Sequence, residues 1–369
     1  MTSSAPDPVE LENLLGPRLF AAEAGFGAPV MLANRYLLET PRGRGARGLV
    51  VRALDVRLER PVALKLYPRH EPVLVAEVQK EAKVLAQLRH PNIVAVHDVD
   101  FAELDLGERR VACLFMVMEY IEGPNVGAWV AKESPSAGAI VDAFLAAGEG
   151  LAEAHAVGIL HRDVKPANIV IDHQTARMVD FGLAREVPRA GEAEARATEY
   201  GVMNGTLAYM APEARRGETD VRSDVFAFSV ALWESLTGVL PFDPEVGSWR
   251  LGNQVDFDGA EKLPRGIGKV LRRAMSYAAK DRPGSLREVL EGLREERAGL
   301  DPSKVLGFVK GLGSRIEGLI GRPPGGVTSR WAARAREVMA EAEAEVEKKR
   351  DSEREPKSRG RGTPSSQDE

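Results

Sequence analysis

The sequence predicts an α+β chain in which a small sheet-rich unit is followed by a larger helical one. Two observations carry this. Short runs rich in Val and Leu recur at 35–39, 49–56, 61–67, 93–99 and 111–118, the first three separated by Gly, Arg and Pro. Runs of that length bounded by turn residues are strand signals. After Gly123 the apolar spacing becomes helical, with long periodic stretches at 138–157, 222–238, 265–277 and 284–298. Strands grouped ahead of helices define the α+β class. At 369 residues the chain holds two to three structural units and buries a sizeable core.

Taken in order, residues 1–34 are an N-terminal extension. Pro6, Pro8, Gly16, Pro17, Gly25, Gly27 and Pro29 punctuate it, which leaves only 9–15 for a short helix. The runs from Arg35 to Tyr67 form an antiparallel meander. Residues 72–88 place Val75, Val78, Ala82, Leu85 and Leu88 at helical spacing. Two more strands precede the helical unit. The composition shifts again near 300. The 303–321 stretch mixes apolar residues with glycine, and 329–350 sets Trp331, Ala335, Val338, Ala342 and Val346 on one helical face. From Asp351 the chain is polar and charged, the composition of a disordered tail. The expected organisation is therefore 1–34, a main domain at 35–298 with lobes 35–120 and 124–298, a helical tail at 299–350, and a disordered tail at 351–369.

Charge and cysteine content narrow the class. With 50 basic and 55 acidic residues the net charge is −5, which argues against nucleic-acid binding through bulk positive charge. A single cysteine, Cys113, excludes an internal disulfide framework, and no Cys/His cluster has zinc spacing. It is expected to pack as a small hydrophobe. The N-terminus lacks a basic start and an apolar run, and no stretch has 18 consecutive apolar residues. The expectation is a cytoplasmic protein with no integral membrane segment and no nucleic-acid partner.

Five short strings carry the chemistry. Gly43-Arg44-Gly45-Ala46-Arg47-Gly48-Leu49-Val50 lies between two strands. Glycines there let a backbone approach phosphate oxygens closely. The strand-to-strand setting speaks against the dinucleotide fingerprint, which leads from a strand into a helix. Val62-Ala63-Leu64-Lys65 follows, with Ala63 and Lys65 on one strand face and Val62 and Leu64 on the other. Next come His161-Arg162-Asp163-Val164-Lys165-Pro166-Ala167-Asn168, then Asp180-Phe181-Gly182, then Ala211-Pro212-Glu213. Each string alone is weak, and a strand lysine or a lone aspartate is ordinarily a solvated charge. All five in this order, with Asp163 and Asp180 17 residues apart, do not coincide by chance.

Over roughly residues 35–298 the chain resembles a protein kinase, closest in its motifs to the bacterial eukaryotic-like (Hanks-type) serine/threonine kinases. The resemblance implies a bilobal kinase fold, with a small β-rich N-lobe and a larger α-helical C-lobe. It also implies use of ATP with Mg2+, or Mn2+ in its place, and protein substrates bearing Ser or Thr. By the same resemblance Gly43, Gly45, Gly48 and Val50 cover the phosphates. Ala63, the gatekeeper Met118, and Glu119 with Ile121 in the hinge line the adenine site. Lys65, paired with Glu81, holds the α- and β-phosphates. Asp163 is the catalytic base, Lys165 reaches the γ-phosphate, and Asn168 and Asp180 hold the metal. Thr206 floors the site for the substrate hydroxyl. Glu213 pairs with Arg282, and Asp224 anchors the catalytic loop.

The resemblance also frames regulation. Asp180 to Glu213 would be the activation segment, and Thr198 its candidate for autophosphorylation. A phosphate there could pair with Arg162 and Arg185. Two positions depart from the family pattern. Arg42 stands where an apolar residue usually precedes the first glycine, so the adenine lid is either looser or supplied by Leu38. Ser229 replaces a common glycine. For 303–350 the alternatives are packing on the kinase core, docking of a partner or a second copy, and lying on a membrane surface; docking is favoured. Two other functions compete with a protein kinase. An ATP-binding scaffold is expected to lose Lys65, Asp163, Asn168 or Asp180, and all four are present. A small-molecule phosphotransferase of the wider fold generally lacks the Ala-Pro-Glu segment and its arginine partner.

Overall fold

The computed structural model describes residues 6–44, 48–68, 72–107, 109–172, 175–181, 208–242, 257 and 259–297, except the side chains at 72–74, 77, 81 and 265. The chain divides into two units, Met1–Val305 and Leu306–Glu369. The second unit, with the tail expectations for 299–350 and 351–369, lies outside the described residues.

The small lobe comprises α1 (Pro8–Glu23), β1 (Met31–Leu32), β2 (Tyr36–Arg44), β3 (Leu49–Asp55), β4 (Arg60–Tyr67), α2 (Pro72–Leu85), β5 (Val96–Asp105) and β6 (Arg110–Glu119). Its six strands form one antiparallel sheet in the order β1-β2-β3-β4-β6-β5. Alternation splits the strand residues between two faces. Leu49, Val51, Ala53, Val62, Leu64, Leu66, Phe115 and Val117 form the outer core with Leu11, Leu15 and Leu19 of α1. Met116, Met118 and Tyr67 belong to the other, larger core.

The helix α1 is longer than the 9–15 segment the sequence suggests. Asp7 caps it by accepting the Glu10 N–H at 2.8 Å, and Pro8 sits in its first turn. Proline there is compatible with a helix, because that N–H has no intrahelical partner. Pro17 reads as a stop, yet the helix runs through it. An interior proline costs about 3 kcal/mol. The three leucines at four-residue spacing are each at most 2% exposed, and burying a leucine side chain contributes about 1.5–3 kcal/mol. Tertiary burial therefore outweighs the local break.

The large lobe holds α3 (Val126–Glu133), α4 (Ala137–Ala156), a hairpin of β7 (Ile169–Asp172) and β8 (Thr175–Met178), α5 (Val221–Thr237), α6 (Arg265–Ala274) and α7 (Leu286–Arg297). α5 is buried nearly all round, including Phe226, Phe228, Leu232 and Trp233. A helix apolar on every side belongs in a core. A capping box of Asp220 and Ser223 starts it, and Gly238 ends it at φ +74°. Ser229 is fully buried within it and donates its hydroxyl to the Val225 carbonyl at 2.8 Å, so its polar group is satisfied.

Candidate active site

The sheet register builds the upper wall. β3 pairs with β4 so that Val50 faces Lys65, and β4 with β6 so that Ala63 faces Met118 and Lys65 faces Met116. Directly opposed residues share a face. Val50, Ala63, Lys65, Met116 and Met118 therefore line the side of the sheet away from α1. The Lys65 ammonium forms an ion pair with Asp180 and lies 5.5 Å from the Tyr67 ring centre. Burial alone would lower its pKa. Asp180, with Tyr67 and Asp163, more than offsets this and raises it above the ordinary lysine value. Lys65 is thus a fixed cation. Gly43 pairs with Val50, and a Cβ on Gly48 would stand 2.7 Å from the Leu66 carbonyl oxygen. Only glycine fits that approach.

The lower wall is the 161–168 loop, hung from α5 by Asp224. The Asp224 carboxylate accepts the backbone N–H of His161 at 2.7 Å and of Arg162 at 2.8 Å. His155 Nε2 lies 2.8 Å from the same group. His161 is fully buried, and its ring centre is 4.6 Å from that of Phe181. Its Nδ1 accepts the Asp163 N–H at 3.3 Å while Nε2 lies 3.1 Å from the Val179 carbonyl oxygen. These partners assign a neutral ring with the proton on Nε2. Burial accordingly holds its pKa below the usual histidine value.

Two residues of the site sit in left-handed backbone, Arg162 at φ +61° and Asp180 at φ +57°. Such non-glycine conformations persist where surrounding contacts enforce them. The Asp224 hydrogen bond does so at Arg162, and the ion pair with Lys65 does so at Asp180. Asp163 Oδ2 accepts Lys165 Nζ at 2.9 Å and Asn168 Nδ2 at 3.1 Å, and its carbonyl accepts Asn168 Nδ2 at 2.8 Å. A carboxylate and an amide oxygen are hard ligands suited to a divalent metal ion. Among the described residues, no group of three His, Cys, Asp or Glu side chains can hold a metal. A two-ligand set of Asn168 and Asp180 fits a cation that keeps its waters and arrives with phosphate oxygens.

Behind this lies a buried ion pair. Arg282 Nη1 and Nη2 donate to the two oxygens of Glu213 at 2.7 and 2.9 Å. The remaining donors reach the carbonyls of Arg222 at 3.0 Å, Tyr277 at 3.0 Å and Ser276 at 2.7 Å. Ser223 also donates to Glu213 at 2.9 Å.

The segment that the resemblance assigns to the hinge runs from Glu119. Its N–H donates to the Ala95 carbonyl at 2.9 Å, and Ile121 packs partly buried against the larger core. Tyr120 lies beneath two guanidinium groups, Arg42 at 5.6 Å and Arg52 at 5.2 Å from its ring centre. Leu38 does not supply an adenine lid. It is 3% exposed, on the outer face under α1, because strand alternation turns it away from the Lys65 side. Cys113 packs in the same outer core, and burial pushes its thiol up to about 12.

Gly45, Arg185, Thr198 and Thr206 lie outside the described residues, as does the side chain of Glu81, whose backbone belongs to α2. Sequence reasoning missed Arg177 of β8 and Tyr120. Arg177 Nη1 donates to Glu119 at 2.6 Å, and its Nη2 stands 3.1 Å from Asp172. A lone arginine in a short strand carries no local signal of such a role.

A lysine-bearing inner sheet face, closed from below by a His-Arg-Asp loop and an Asp-Phe pair, defines the architecture of a protein-kinase domain. The chain belongs to the protein kinase domain family, whose pattern matches residues 36–291. It is similar to the serine/threonine-protein kinase pkn3 of Myxococcus xanthus, 30% identical over 292 residues, which cover 73% of this chain and 52% of the relative. It is also similar to the serine/threonine-protein kinase PknL of Mycobacterium tuberculosis, 39% identical over 230 residues, covering 60% of this chain and 54% of the relative. The chain thus spans about half the length of these curated relatives. Among solved structures, the PknI kinase domain of M. tuberculosis superposes with a TM-score of 0.56 at 28% identity, over 74% of this chain and 99% of that one. The fold and the bacterial kinase group expected from the motifs are therefore those found. Among the described residues, no helix is long and apolar enough to cross a membrane.

Proposed function

We propose that this chain transfers the γ-phosphoryl group of ATP to Ser and Thr hydroxyls of protein substrates. The observation that supports this most is the linked cluster of Lys65 with Asp180 and of Asp163 with Lys165 and Asn168. Phosphoryl transfer asks the protein mainly for positioning and charge neutralisation. In this reading Lys65 holds the α- and β-phosphates, and the hinge backbone at Glu119 and Ile121 meets the adenine between Ala63 and Met118. Asp163 orients the substrate hydroxyl and accepts its proton as that oxygen bonds to the γ-phosphorus. The bond from that phosphorus to the bridging oxygen of ADP breaks, and Lys165 meets the charge on the transferring oxygens. Asn168 and Asp180 would hold Mg2+, which would supply further neutralisation of the phosphate charge. Thr206 would complete the hydroxyl-binding floor, and phosphorylation of Thr198 would draw in Arg162 and Arg185. Residues 303–350 would dock a partner or a second copy, and the chain would work in the cytoplasm.

The test is phosphate incorporation from labelled ATP into the purified chain and a generic protein substrate, with phosphoamino-acid analysis and Asp163→Asn as control. Label on Ser and Thr that requires a divalent cation and disappears in the variant is expected. ATP binding without transfer would favour a scaffold, and label only on small acceptors would favour a metabolite phosphotransferase. Label on Thr198, together with weaker activity in Thr198→Ala, is expected for loop activation.

A further inference from the structure

We propose that Arg177 is a positioning residue that keys the hinge to the β7–β8 hairpin and thereby sets nucleotide affinity. The inference rests on the nucleotide reading above. Arg177 grips two carboxylates at once, Glu119 at 2.6 Å and Asp172 at 3.1 Å. Glu119 ends β6 of the small lobe and Asp172 ends β7 of the large one. The planar guanidinium serves two acids in fixed directions, whereas an ammonium offers a point charge. Arg177 and Asp172 are 21% and 19% exposed, so water competes less than at an open surface pair. Arg177 Nε is buried with no hydrogen-bond partner among the described residues. The two acids therefore anchor the group.

The placement gives this bridge its consequence. β7 starts directly after Asn168, and β8 ends two residues before Asp180. One hairpin thus carries both residues assigned to the metal at its open end. The downstream end of the hinge is already tied to it, through the Ile171 N–H to the Pro124 carbonyl at 2.9 Å and an Asn125–Val170 bridge. Gly123 lies so close that a Cβ would stand 1.8 Å from the Ile171 carbonyl oxygen. Arg177 ties the upstream end. With both ends fixed to one hairpin, the backbone offered to the adenine holds a set distance from the side chains offered to the phosphates. A ligand that spans both regions then binds a preorganised frame.

The test is ADP binding by calorimetry, with and without Mg2+, and steady-state kinetics on the full chain. Arg177→Ala is expected to weaken ADP by about fivefold, the scale of one ordinary net hydrogen bond, because the bridge acts on the ligand through the hinge. The KM for ATP should rise more than kcat falls. Arg177→Lys, which keeps the charge and the fold, should recover part of the affinity. Adding Glu119→Gln to Arg177→Ala should cost no more than Arg177→Ala alone, because the tie is already broken. A lower melting temperature with unchanged ADP affinity well below melting would overturn the proposal and leave Arg177 structural. So would a raised kcat at unchanged affinity, the mark of a bridge that restrains turnover. If the wild-type chain binds no ADP, the nucleotide reading itself fails, and that result is distinct from both.

Discussion

Arg282 is 3% exposed and has every N–H of its guanidinium engaged, two of them on Glu213. Removing one partner of such a pair leaves a buried charge uncompensated, which costs about 3–5 kcal/mol. Glu213→Ala should therefore lower the unfolding free energy by about that amount in urea titrations. Arg282→Lys should also destabilise, because an ammonium cannot reach both oxygens and three carbonyls. Asp163 is instead proposed to serve the chemistry. Asp163→Asn should cut kcat about 10²–10⁴-fold, the usual contribution of a positioned base, and leave the melting temperature near wild type. A loss of transfer that simply tracked unfolding would contradict this. Asp163 and Glu213 were legible because they sit in short strings with fixed order, and Arg282 through the resemblance those strings carry. Leu38 and Arg177 were not. Whether Leu38 faces the nucleotide side depends on strand phase, and Arg177 gains its meaning only when β8 meets the hinge.

At the scale of elements, alternation exposed β4 and β6 well, while the run at 93–99 reached only the start of β5 and the short strands β1, β7 and β8 carried no signal. The run at 61–67 became β4 at Arg60–Tyr67, and 111–118 became β6 at Arg110–Glu119. The helices of the large lobe followed their periodic stretches closely, with 222–238 observed as Val221–Thr237. α1 runs past Gly16 and Pro17, which are local breakers, because what sustains it is the distant sheet face under its leucines. Glycines in helices make the same point in opposite directions. Nothing lies within 4 Å of a Cβ built on Gly16, so Gly16→Ala should stabilise by about 0.5–1 kcal/mol through reduced backbone entropy. In α4, a Cβ on Gly150 would stand 2.6 Å from the Asn92 carbonyl oxygen, so the same change there should destabilise. Melting temperatures of the two variants should move apart. Movement of both upward would contradict the close approach of α4 to the 92–93 segment.

At the scale of the whole molecule, the described residues hold two apolar cores, one on each face of the small-lobe sheet, and the larger is continuous with the helical lobe. Two histidines bear on its response to pH. Burial holds His161 below the ordinary value of 6.5, and partial desolvation with the nearby Arg60 charge lowers the more exposed His97 as well. Below that value the unfolded chain takes up protons that the folded chain resists, so stability falls as pH falls. Above it neither state is protonated and the dependence vanishes. The melting temperature should be level from about pH 8 to about pH 6.5 and decline below that. A midpoint that stays level or rises on acidification would show that neither histidine is held neutral by the fold.

The suspension of the 161–162 amides from Asp224 has a consequence for time as well as position. Both hydrogens point into a carboxylate that is 2% exposed, on a helix buried on nearly every side. They exchange with solvent only when that helix leaves its packing, so their protection should approach that of the most slowly opening part of the lobe. The loop proposed to handle the substrate proton therefore persists as long as the core beneath it.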